Sequence, residues 1–149
     1  MRKLKRAVEA ACGGGIAFNS CLLNLYRDGS DHVPWHADDE PVYGDLNDCT
    51  IASVSLGASR LFQIRQSSFE DTEDTRFAAP PRWKYTLHSG SLLVMRGATQ
   101  RHYQHRVPKR ERRPVGARIN ATFRTFSART KSMYWKSEGP FGIPYDSEF

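Results

Sequence analysis

Arg118-Ile119-Asn120-Ala121-Thr122-Phe123-Arg124 alternates polar and apolar residues without a break. Side chains of an extended chain point to opposite faces with a period of two. A strand here therefore sets Arg118, Asn120, Thr122 and Arg124 on one face and Ile119, Ala121 and Phe123 on the other. The apolar face reads as a sheet surface turned to a core. The polar face has two readings. In a plain sandwich edge its arginines point into solvent. In a barrel-like fold the same face lines the interior and holds an anion, for which the arginine fork is suited because it pairs bidentately with carboxylate. Buried arginines without a partner are very unfavourable, so the second reading demands an Asp, a Glu or a bound dicarboxylate.

Outward from this segment the strand pattern repeats. Extended segments are expected at Phe18–Tyr26, Thr50–Leu56, Leu61–Arg65, Trp83–Leu87, Ser91–Met95, Tyr103–Val107 and Arg118–Phe126, separated by clusters of Gly, Pro, Asp and Ser. Residues 2–12 predict a short amphipathic helix, with Leu4, Val8 and Ala11 at helical spacing and Gly13-Gly14-Gly15 as its stop. Residues 67–82 read as a surface loop. Many short strands with loop breaks define a mainly β fold, a sandwich or barrel that includes the jelly-roll type. The chain has 149 residues, enough for one core. Residues 1–126 are expected to form the domain, and 127–149, which show no clear period, a C-terminal extension.

With 39 % hydrophobic residues and abundant aromatics the chain is expected to fold. No apolar run approaches a membrane span and no signal-peptide pattern opens the sequence, so a cytoplasmic or nuclear protein is expected. The three cysteines, Cys12, Cys21 and Cys49, show no Cys-x-x-Cys spacing, and ordinary packing is their expected role. The net charge is +6, unevenly spread. Acids cluster between Asp28 and Asp48 and again at Glu70, Asp71, Glu73 and Asp74; bases cluster at the N-terminus and along Arg101, Arg106, Lys109, Arg110, Arg112 and Arg113. The second basic run follows His105. It fits either a solvated loop or a rim that attracts a polyanion such as nucleic acid.

His36-Ala37-Asp38 and the distant His105 are the candidate metal ligands. On an extended segment His36 and Asp38 point the same way. Two imidazoles and a carboxylate make the facial triad that holds Fe(II) with open positions, although a lone His-x-Asp is also a common polar loop. Asn24 and Tyr26 share another strand face, and each can donate a hydrogen bond to a carboxylate. Together with Arg118 and Arg124 they suit 2-oxoglutarate, whose two carboxylates could take one arginine each.

In this combination the chain resembles the AlkB-type Fe(II)/2-oxoglutarate dioxygenases, the alkylation-repair demethylases. The resemblance rests on Asn24-Leu25-Tyr26, His36-Ala37-Asp38-Asp39-Glu40, Ile51 to Gly57, His88 to Leu93, Gln104-His105-Arg106-Val107-Pro108 and Arg118-x-Asn120-x-Thr122-Phe123-Arg124, in that order. It implies a double-stranded β-helix with His36, Asp38 and His105 on iron. It further implies Arg118, Tyr26 and Asn24 on the far carboxylate of 2-oxoglutarate, and Arg124 with its neighbour Asn120 at the end near the metal. Asp39 and Glu40 are implied to approach the exocyclic amine of a damaged base. The implied reaction consumes O₂ and 2-oxoglutarate, demethylates 1-methyladenine or 3-methylcytosine in DNA or RNA, and releases succinate, CO₂ and formaldehyde. The base must be single-stranded or flipped out to be reached. A monomer is expected.

The sequence departs from the family in one respect. Family members carry a longer N-terminal portion that forms a nucleotide-recognition lid with an aromatic stacking partner, whereas only 17 residues precede Phe18 here. The lid is therefore expected to be largely missing and demethylation to be weak. Two alternatives stay open: a catalytically weak or silent binding module of the same fold, and the same chemistry on an RNA or protein substrate.

Overall fold

A computed structural model describes residues 1–13, 15–67, 81–110 and 114–126. The acidic run from Glu70 to Asp74, Arg112, Arg113 and the expected extension 127–149 lie outside the described residues. The chain opens with helix α1 (Arg2–Cys12) and continues through β1 (Ser20–Tyr26), β2 (Val33–His36), β3 (Ile51–Gly57), β4 (Arg60–Gln66), β5 (Arg82–Leu87), β6 (Leu92–Met95), the short helix α2 (Thr99–His102), β7 (Tyr103–Val107) and β8 (Arg118–Arg124). A single 3₁₀ turn occupies Pro41–Tyr43. The strands form two antiparallel four-stranded sheets, ordered β1-β8-β3-β6 and β2-β7-β4-β5. This is the jelly-roll arrangement.

Strand β8 lies between β1 and β3, and its two faces meet different surroundings. Ala121 and Phe123 pack with Ala52, Val54 and Phe18 beneath Val8 and Cys12 of α1. Thus the apolar face of the Arg118–Arg124 segment looks outward, to the helix. The polar face looks inward, between the sheets, where Arg118, Asn120, Thr122 and Arg124 are 2 %, 8 %, 5 % and 8 % exposed. The reading with arginines in solvent is excluded. A second apolar cluster, with Ile51, Phe62, Leu87, Met95 and Val107, fills the rest of the space between the sheets.

Helix α1 matches the expected span, but its buried stripe runs Leu4, Val8, Cys12, with Ala11 exposed. A four-residue step keeps side chains on one helix face, and Cys12 continues that step where Ala11 falls beside it. The Glu9 carboxylate accepts a hydrogen bond from the Phe18 N–H (2.8 Å), and Arg96 donates to the Cys12 carbonyl, so the C-terminal half of the helix is tied to the β domain. Phe18 is 1 % exposed and its ring lies 6.0 Å from that of Phe123. Phe18→Ala should cost about 3–5 kcal/mol of stability, the usual range for a buried Phe. The check is the urea midpoint at unchanged m-value; a loss of under ~1 kcal/mol would mean that the helix does not cover this face.

Strand β2 is not among the strands expected from the sequence. It has four residues, includes Pro34, and pairs with β7 only at Val33↔Val107 and His36↔His105, with an irregularity between. Proline confines a strand to a sheet edge, and β2 is an edge. At the β3–β4 turn, Gly57 takes a φ of +91° with Ala117 so close that a Cβ would sit 2.5 Å from its carbonyl oxygen. The site's deepest residue, Arg118, follows directly.

Candidate metal centre

His36 ends β2, and His105 lies directly opposite it on β7. Their rings are 4.2 Å apart between centroids. Asp38 follows two residues after His36, and its Oδ1 lies 3.6 Å from His36 Nε2. One ligand atom from each of His36, Asp38 and His105 falls within 4.8 Å of the others, so the three could hold a metal ion. The donor set, two imidazole nitrogens and one carboxylate oxygen, is that of a facial Fe(II) site.

Neighbouring groups fix each ligand. The Pro34 carbonyl accepts from His36 Nδ1 (2.9 Å), which leaves the Nε2 lone pair for a metal. His105 is buried and stacks on Phe62, with ring centroids 5.4 Å apart. Burial, helped by His36, pushes its pKa down to about 4, so the ring is neutral near neutral pH and free to ligate. Arg124 Nη2 donates to Asp38 Oδ2 at 2.7 Å, leaving Oδ1 on the side of the histidines. Gln100, buried on α2, accepts the Asp38 N–H (2.9 Å). Gln100→Leu removes this acceptor and should weaken metal affinity by roughly 10- to 100-fold, as losses of outer-shell partners do. Calorimetric titration with Mn(II) checks this, and an unchanged affinity would show that Gln100 does not position Asp38.

A cavity of about 180 Å³ runs inward from these ligands and is bordered by Asn24, Tyr26, Ser53, Arg118, Asn120 and Thr122. Arg118 lies at its far end. Its Nη2 donates to Ser55 Oγ and Asn120 Oδ1, both at 2.8 Å, and its guanidinium stacks on Tyr26 at 4.9 Å. Asn120 also accepts from Ser53 Oγ (2.7 Å) and donates to Thr122 Oγ1 (2.7 Å), so it braces the wall of the cavity. Buried Arg118 Nε, Arg118 Nη1 and Arg124 Nε have no partner among the described residues. Such donors are costly unless an acceptor arrives. Two guanidinium groups with open donors at either end of one cavity fit a dicarboxylate. Burial also pushes the Tyr26 phenol up, keeping it a donor.

The structure thus brings Asn24, Tyr26, His36, Asp38, His105, Arg118, Asn120 and Arg124 around one cavity. Glu40 lines its rim; Asp39 is exposed and does not. Four contributors were not anticipated. Gln100 holds Asp38, Tyr43 accepts from Arg124 Nη1 (2.5 Å), Ser55 braces Arg118, and Arg60 buries its charge on the carbonyls of Asp28, Asp31 and Pro108 behind Tyr26. Of these four only Ser55 carries a sequence signal, as one of two hydroxyls, with Ser53, on one face of an otherwise apolar strand.

A jelly roll with a His-Asp-His cluster at one end and paired arginines along its interior defines the class of 2-oxoglutarate-type oxygenases. The chain belongs to the 2OG-Fe(II) oxygenase superfamily, whose model matches residues 1–124. Fe(II) and 2-oxoglutarate are the cofactors this family implies, and the triad and the open arginine donors fit them. Among relatives, alkB homolog 3 of Bos taurus is 45 % identical over 133 residues, covering 89 % of this chain and 44 % of that protein. The Homo sapiens alkB homolog 3 is 43 % identical over 135 residues, covering 91 % and 45 %. The DNA oxidative demethylase ALKBH2 of Arabidopsis thaliana is 44 % identical over 123 residues, covering 74 % and 38 %. The chain therefore spans less than half the length of these relatives. The solved structure of OsALKBH1 shares the fold with a TM-score of 0.54 at 20 % identity, over 83 % of this chain and 60 % of that one. Among the described residues no helix is long and apolar enough to cross a membrane.

Proposed function

We propose that this chain carries out oxidative demethylation of N-alkylated bases in nucleic acid, with 1-methyladenine and 3-methylcytosine as substrates. The observation that carries the reading is the gathering of His36, Asp38 and His105 at one end of a cavity whose other end presents Arg118 donors without a partner among the described residues. The relatives named DNA oxidative demethylase support the choice of substrate. Bound Fe(II) with 2-oxoglutarate and O₂ supplies the oxidation, releasing succinate, CO₂ and formaldehyde.

The chain's own residues bind and orient. His36, Asp38 and His105 hold the metal; Arg118, Tyr26 and Asn24 take the far carboxylate of 2-oxoglutarate. Arg124, held between Asp38 and Tyr43, stands at the metal end with Nε open and Asn120 as the bracing neighbour. Glu40, on the rim, is placed to accept from the exocyclic amine of the damaged base, and Asp39 lies beside it in solvent. The base reaches this rim from a single strand or after flipping. Such a substrate goes with residence in the cytoplasm or nucleus, and the reading takes the chain as a monomer.

The test is formaldehyde and succinate release from the Fe(II)-loaded protein with O₂, 2-oxoglutarate and a single-stranded oligonucleotide bearing 1-methyladenine, in DNA and RNA versions. Release that depends on the methyl group supports the reading. Succinate without formaldehyde would leave the oxygenase and remove this substrate; neither product would mark a binding module.

A further inference from the structure

The outer face of the sheet that carries both histidines holds a second constellation, unused by the metal centre. Trp35 directly precedes His36, so alternation turns its indole to the opposite side of β2. Three guanidinium groups gather on that ring. The central carbons of Arg65 and Arg106 each lie 4.5 Å from its centroid, and that of Arg82 lies at 6.0 Å. They come from β4, β7 and β5, with Arg65 and Arg82 opposite each other in register.

Amides orient these groups. Arg65 Nε and Nη2 donate to Gln104 Oε1 at 2.9 and 2.6 Å, and Arg106 Nε donates to Gln63 Oε1 at 2.7 Å. Among the described residues no carboxylate forms an ion pair with any of the three. Like charges on one indole repel, and neutral amides do not offset that repulsion. The bonds to Gln104 and Gln63 occupy the Nε side of Arg65 and Arg106 and leave the side formed by the two terminal nitrogens, which suits a bidentate contact to phosphate. Charges supplied by three adjacent strands suit several phosphates rather than one.

We propose that the Trp35-centred cluster of Arg65, Arg82 and Arg106 is a phosphate-backbone site for single-stranded nucleic acid, on the face of the sheet opposite the cavity. It rests on the nucleic-acid reading above for the identity of its partner. Contacts made only to phosphate fix position without reading sequence, so the site serves to retain a strand while the lesion is presented at the rim.

The experiment is binding of an unmethylated single-stranded oligonucleotide to the Mn(II)-loaded protein, by fluorescence anisotropy over a range of salt. The Arg65→Gln/Arg82→Gln variant should bind more weakly, and its log K against log salt should be shallower by ~1.4, about 0.7 per lost phosphate contact on a single strand. Its 2-oxoglutarate affinity should equal that of wild type, which also verifies folding. Arg82→Gln alone, at an exposed position, should flatten the slope by ~0.7. Wild-type slope and affinity in both variants would overturn this site and leave the demethylase reading untouched. Absence of any oligonucleotide binding by wild type would overturn both.

Discussion

Asp38→Ala is expected to abolish turnover and to destabilise the metal-free protein. Asp38 is buried and serves two partners: Oδ2 takes the Arg124 guanidinium at 2.7 Å, and Oδ1 faces the His36 ring. Truncation removes one metal ligand of three and leaves the Arg124 side chain buried with, among the described residues, only the Tyr43 hydroxyl as hydrogen-bond partner. Breaking a buried pair from one side typically costs about 3–5 kcal/mol, so the urea midpoint of the metal-free variant should fall accordingly. Asp38→Asn keeps the shape and a hydrogen-bond acceptor for Arg124; it should lose turnover as completely but less stability. Formaldehyde release and urea unfolding on both variants check the pair of effects. Turnover retained in Asp38→Ala would remove the proposed metal centre.

Arg118→Gln should act with opposite signs on ligand and fold. In the ligand-free protein Arg118 Nε and Nη1 are buried without a partner among the described residues. Replacing them removes an uncompensated desolvation cost, so the free protein should be no less stable. It should be more stable if the substituted amide still reaches Ser55 and Asn120. The 2-oxoglutarate complex, by contrast, loses a buried charge-assisted contact. Truncating one side of such a pair costs about 2–5 kcal/mol, or roughly 30-fold to several thousand-fold in affinity. The loss should appear as a raised KM for 2-oxoglutarate at a less affected kcat. Equal destabilisation of the free and bound protein would mean that Arg118 is a structural arginine of the kind Arg60 is, satisfied by its own fold.

The contrast between Arg60 and Arg118 shows where sequence reading works and where it stops. The alternation through Arg118–Arg124 places both arginines on one face but leaves open whether that face meets solvent or the interior; the packing of α1 on Ala121 and Phe123 decides it. His36 and Asp38 were legible because two-residue spacing is local, and His105 because the resemblance named it. Arg60 sits outside any alternating run, and its partners are three backbone carbonyls from two loops, which no side-chain pattern records. Gln100 is equally silent: α2 has four residues, too few for a helical period, and its glutamine meets Asp38 only through the fold. β2 escaped because Val33-Pro34-Trp35-His36 is short and holds a proline; its pairing with β7 rather than its own pattern makes it a strand. Alternation on that same strand puts Trp35 and His36 on opposite faces, yet the arginines that meet Trp35 come from three other strands.

Central to the proposed chemistry is one cavity that couples the His36, Asp38, His105 centre to the arginine-lined pocket. The most direct measurement is the affinity for 2-oxoglutarate under anaerobic conditions, with and without Mn(II) as a redox-silent metal, in wild type and in Asp38→Ala. Metal should tighten 2-oxoglutarate binding in wild type, and Asp38→Ala should lose this dependence while Arg118 still supports weak binding. Equal affinity with and without metal in wild type would contradict the coupling, because the metal centre and the carboxylate pocket would then be two unconnected features of the fold.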